Sequence, residues 1–122
     1  MGADAKAYLW FGSRQNNGVP SGLKLSGFTA DTDEFEAREL LDEALKETGV
    51  ELVFIPMEGG DSGFALAVRG SRVHRDWDYE SKPIELAVIT QDKKLELIRV
   101  ASEINWPMGD VPLGWYLGAT YW

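Results

Sequence analysis

Residues 69–83, RGSRVHRDWDYESKP, gather the chain's single histidine with Arg69, Arg72, Arg75, Asp76, Trp77, Asp78 and Tyr79. An imidazole beside carboxylates can bind a divalent ion or shuttle a proton, which makes His74, Asp76 and Asp78 the candidates for such chemistry. In a strand they would share one face, about 7 Å between neighbours. The set is short of ligands, because an open catalytic zinc site keeps three protein ligands and this chain has one histidine and no cysteine. A solvated sheet face produces the same alternation without any chemistry. No Gly-x-Ser-x-Gly element occurs, and His74 is the one conventional base. The sequence therefore assigns no catalytic residue, no metal ligand and no cofactor. An enzyme built on His74 and Asp76 is the last of three readings.

The same stretch suits a different use. Arg69, Arg72, His74, Arg75, Trp77 and Tyr79 combine guanidinium groups with rings, the equipment for holding a phosphate and stacking a base. The loop MEGGDSG at 57–63 brings Gly59, Gly60 and Gly63 close by, yet it matches neither the dinucleotide fingerprint nor the phosphate-loop pattern with its lysine. Arginines paired with Asp76, Asp78 and Glu80 are the plain structural account. A binder or sequesterer of a small anionic, nucleotide-like ligand is the second reading.

Charge supports the first. The net charge is −8, and residues 31–47 carry eight acids against Arg38 and Lys46, so one segment holds most of the excess. Duplex nucleic acid is then an unfavourable partner, since its binding depends on neutralising phosphates with Lys and Arg. A basic protein surface is a favourable one. Ala37, Leu40, Leu41, Ala44 and Leu45 recur at the spacing of one helical face. Glu36, Glu39, Asp42 and Glu43 should then face water and form the partner-binding surface. The leading expectation is a small acidic non-enzymatic binding protein of the inhibitor or immunity type, acting by protein–protein contact.

These candidates need a frame to hold them. A helix is expected over most of 33–47, opened by Asp31 and Glu34 as a capping box and stopped at Thr48-Gly49. A second helix is expected from Gln91 to Ile104 behind Thr90, with Leu97, Ile98, Val100, Ala101 and Ile104 inward and Leu95 outside the arc; a hairpin around 91–94 competes with it. Strands are expected at 7–12, 23–28, 50–57, 64–69, 84–90 and 114–122, each short, β-branched or aromatic and bounded by turn residues. The inward face changes phase at Gly70-Ser71, which reads as a two-residue hairpin turn pairing Val68 with Val73, Leu66 with Arg75 and Phe64 with Trp77. A bulge at Gly70 is the alternative.

At the C-terminus, Trp115, Leu117, Ala119 and Tyr121 are expected to alternate inward, with 106–112 as the more exposed part. Tyr121 and Trp122 offer an edge for a homo-oligomer. The elements add up to an α+β fold over 1–122, a single domain. It has one mostly antiparallel sheet of about five or six strands with two amphipathic helices packed on one face. Nothing in the sequence marks a secretory or membrane segment, and a cytoplasmic location is the expectation.

Overall fold

The structure is a computed structural model that describes residues 5–56, 62–76, 83–109 and 113–121. It is an α+β fold with one antiparallel six-stranded sheet and two helices. The strands are β1 (Ala5–Gly12), β2 (Asn16–Asn17), β3 (Val50–Ile55), β4 (Gly63–Val68), β5 (Val73–Asp76) and β6 (Gly114–Tyr121). Helix α1 is Glu34–Leu45 and α2 is Gln91–Glu103.

The two central paths of the sheet are broken strands lying side by side. β6 pairs with β1 along its whole length, from Ala5↔Tyr121 to Gly12↔Gly114, so β1 has one edge left. That edge is shared by β5, from Lys6↔Asp76 to Leu9↔Val73, and by β4 at Gly12↔Ala67. β4 is shared in the same way: β3 fills one edge, and β1 followed by β2 fills the other. The chain thus runs on in one direction through Gly70-Ser71, and the expected hairpin is not formed. Between the two paired positions β1 advances three residues while the opposing strand advances six, an enlarged bulge in the sense of the alternative reading. Gly70 has φ +86°, a conformation that favours glycine, and Ser71 N–H donates to Val68 O at 3.0 Å.

Two buried serines repair the ladder where it is interrupted. Ser71 Oγ accepts from Phe11 N–H (3.2 Å) and meets Phe11 O at 3.4 Å. Ser13 Oγ accepts from Leu66 N–H (2.9 Å), and Ser13 N–H donates to Leu66 O (2.8 Å). They are the buried polar residues of the described core, and each replaces a backbone partner that the bend removes.

The core has two parts because β3 and β4 are buried on both faces. Val50, Leu52, Phe64, Leu66 and Val68 join Leu41 and Leu45 of α1 and Leu97, Val100 and Ala101 of α2 in one cluster. The odd-numbered Val53, Ile55, Ala65 and Ala67 join Tyr8 and Trp10 in the other. Full burial of each large apolar side chain contributes about 1.5–3 kcal/mol.

Both helices occur where periodicity places them, and α2 keeps Thr90 as its cap, accepting from Lys93 N–H at 3.3 Å. For α1 the cap is Asp33, not Asp31: its Oδ1 accepts from Glu36 N–H at 2.8 Å. Asp31 is held in the preceding turn, where its N–H donates to Thr29 Oγ1 and Thr32 N–H donates to Thr29 O. Ile98 and Ala44, expected inward, are exposed; Leu95 is exposed as expected.

Two expected strands are absent. Residues 23–25 have no regular structure and 25–28 close a turn, with Phe28 N–H donating to Leu25 O; Lys24 N–H donates to Ile104 O, and Leu23 enters the core without a ladder. Residues 84–90 have no ladder partner, and Ile84, Leu86 and Val88 are exposed while Ile89 touches the core. The phase of β6 is also reversed: Tyr116 packs inward, whereas Trp115 is 36% and Leu117 72% exposed. The cause is the register Trp10↔Tyr116, which stacks those rings 6.0 Å apart on the inner side. Trp106, expected in an exposed loop, is buried. The side chains of Ala119 and Tyr121, and all of Trp122, lie outside the description.

Candidate functional site

α1 owes its orientation to a narrow apolar stripe. Ala37, Leu41 and Leu45 are buried, which turns the opposite side to water. Glu36, Glu39, Asp42 and Glu43 are all exposed, and among the described residues only Glu43 forms an ion pair, with Lys46 Nζ at 2.6 Å. The acids Glu34 and Glu36 sit in the first turn, where the helix dipole favours them. Phe35 is 68% exposed at the start of the same surface, one turn before Glu39. Sequence periodicity passes over it because it falls outside the apolar arc.

The arginine-rich stretch does not gather into one site. Arg69 Nη2 donates to Leu45 O (2.8 Å) and Val50 O (2.7 Å), and Arg69 Nε donates to Thr48 O (3.0 Å). Its guanidinium fastens the end of α1 to the start of β3. Arg72 Nε lies 3.4 Å from Glu51 Oε1, whose other oxygen accepts from Gly70 N–H at 3.0 Å. His74 is cross-strand partner of Tyr8, and the rings stack 4.6 Å apart with 2° between planes. Arg75 is the next residue of β5, on the other face, and its Nη1 donates to His74 O at 3.1 Å. Trp77, Asp78 and Tyr79 of the proposed ligand site, Glu80, and most of the glycine loop at 57–63 lie outside the described residues. Among the described residues no three His, Cys, Asp or Glu side chains converge on one point.

What the fold does bring together is Asp42 from the acidic set with Arg69 and Arg72 from the arginine set. A cavity of about 420 Å³ lies between α1, β3 and the turn after β4. Arg38, Asp42, Leu45 and Lys46 contribute from α1, Glu51, Leu52 and Phe54 from β3, and Arg69 and Arg72 from the turn. The Arg38 guanidinium carbon is 3.7 Å from the centroid of the Phe54 ring, and Arg38 Nε is buried without a hydrogen-bond partner. Phe54 in turn packs on Phe64, ring centroids 5.3 Å apart. Arg38, Lys46 and Phe54 were invisible as site residues because only the α1–β3 packing makes them neighbours. Another cavity, about 470 Å³ and lined by residues such as Asn16, Ser21 and Asn105, has no ionisable side chain in its wall.

Perturbed ionisation lies elsewhere. Glu96 on α2 is held below the usual glutamate range, first by the hydrogen bond from Arg99 and then by Gly49 N–H. Arg99 is raised, chiefly by its hydrogen bond to Glu96 and then by that to Glu103, both at 2.6–2.8 Å. This cluster joins α2 to the loop after α1 and is structural in character. No helix among the described residues is long and apolar enough to cross a membrane. Comparison with protein-family models, with curated proteins and with solved structures returned no match.

Proposed function

We propose that this protein is a non-enzymatic binding protein whose α1 docks on a basic surface of a protein partner. The observation that carries the reading is the solvent face of α1: Glu36, Glu39, Asp42 and Glu43 exposed together, with Phe35 bare at its N-terminal end. Glu43 is paired with Lys46, and the other three carboxylates create a field that steers a cationic partner and accelerates encounter. An exposed aromatic beside them supplies the apolar anchor that charge alone does not give. The reading takes the cytoplasm as the compartment and duplex nucleic acid as excluded by repulsion. Self-association through the edge of β6 would serve the same binding role.

The test uses a partner recovered from host lysate with the native protein. Glu39→Lys, Asp42→Lys and Glu43→Lys combined should slow its association and flatten the salt dependence, while Phe35→Ala should mainly hasten dissociation. Equal recovery and equal association rates for the native and triple-reversed proteins would remove α1 from the interface.

A further inference from the structure

We propose that the cavity between α1 and β3 binds a small organic phosphate. Four cationic side chains and two carboxylates line it, on a protein whose charge is otherwise strongly negative. The internal neutralisation is incomplete. Lys46 is paired with Glu43 and Arg72 with Glu51, but Arg38 has no ion pair among the described residues and Arg69 is engaged with carbonyl oxygens alone. Even with Glu43 counted, one positive charge remains uncompensated.

Arg38 is the second indication. A buried donor with no partner costs free energy, and native structures normally resolve it with a water, an ion or a ligand. Here the donor is Nε of a guanidinium whose central carbon stands 3.7 Å from the centroid of the Phe54 ring, a contact that restrains the group before any ligand arrives. Arg72 reaches the cavity from a different element and is 47% exposed, leaving donors free beyond its single contact at 3.4 Å. Donors approaching from separate walls suit a tetrahedral oxyanion better than a planar carboxylate, whose acceptors lie in one plane.

The organic part has a place as well. Leu45, Leu52 and Phe54 form an apolar side to the cavity, and its volume falls within the roughly 300–1,000 Å³ of small-molecule sites. The acids on the outer face of α1 oppose an anion, but at physiological salt their field is screened over about 8 Å. Asp42 is the exception because it stands in the wall itself.

The experiment titrates the full chain, labelled with nitrogen-15, with phenyl phosphate, inorganic phosphate or benzoate while the Arg38 Nε–H resonance is followed. Phenyl phosphate should give a saturable shift with a dissociation constant below about 1 mM, inorganic phosphate a weaker one, and benzoate none. Arg72→Gln, which disturbs only an exposed contact, should weaken phenyl phosphate by about tenfold or more, and Arg38→Gln should do the same. Asp42→Asn should tighten it. An Arg38 signal that does not move, or affinity unchanged in Arg72→Gln, would overturn the proposal; so would benzoate binding as well as phenyl phosphate.

Discussion

Arg69 lies 24 residues beyond Leu45 in sequence and donates to its carbonyl oxygen at 2.8 Å, closing the C-terminal end of α1 from outside the helix. The last turn of α1 contains no basic residue of its own. A cation at that end complements the helix dipole, and its other donors bind Thr48 O and Val50 O. Arg69→Ala should therefore destabilise the protein by about 1.5–3 kcal/mol, since hydrogen bonds to a charged group are lost and carbonyls are left open. Arg69→Lys should recover only part of this, because an ammonium lacks the planar fork. Chemical denaturation with an unchanged m-value is the measurement. A neutral Arg69→Ala would show that water replaces the clamp at no cost.

A second expectation concerns the crossing of β1 over β4. A Cβ placed on Gly12 would collide with Leu66 O and stand 2.7 Å from Ala67 Cα, both of them backbone atoms that cannot swing away. Gly12→Ala should cost about 1–3 kcal/mol, as overpacking in a close-packed interior does. Thermal unfolding followed by tryptophan fluorescence would read it directly, and an unaltered midpoint would mean that the two strands separate easily.

Acid stability should depend on Glu96. Its folded-state pKa is depressed, first through Arg99 and then through Gly49 N–H, so the stabilisation is present above the unfolded value. It is lost as pH falls through the folded value. Glu96→Gln should be less stable than the native protein at neutral pH, and the gap should close in the acid range below ordinary glutamate titration. Melting temperatures of both proteins across pH check this; a gap constant down to the acid limit would assign the loss to packing alone.

These results separate what is local in the sequence from what is not. α2 is legible from Thr90 to Ile104 because its cap and its apolar spacing sit within one continuous segment. α1 is legible in extent, but Asp31-x-x-Glu34 and Asp33-x-x-Glu36 offer the same capping pattern, and Thr29 decides between them by holding Asp31 in a turn. At Gly70-Ser71 the local residues favour a hairpin, whereas Ser71 answers to Phe11, 60 residues away. The phase of β6 is of the same kind. Trp115 and Tyr116 are both aromatic, so alternation cannot choose between them, and the choice belongs to Trp10. Of the candidate sites, the exposed acids follow from helical period. The cavity wall does not, since Arg38 and Phe54 meet only after α1 has packed.

The eight-residue pairing of β1 with β6 sets the order in which the molecule can be completed. Ala5 is matched with Tyr121, so the first and last described strands of the chain are neighbours. On a ribosome, β1 emerges early and must wait through the synthesis of every other described element before that edge is satisfied. Helices α1 and α2 can form locally in the meantime, while β1 keeps a row of open backbone groups beside Trp10. Such long-range closure is entropically late and makes folding slower than for a helical chain of equal length. The nascent polypeptide is consequently most vulnerable to misassociation until β6 clears the exit tunnel, which is the interval in which a chaperone would be of use to it.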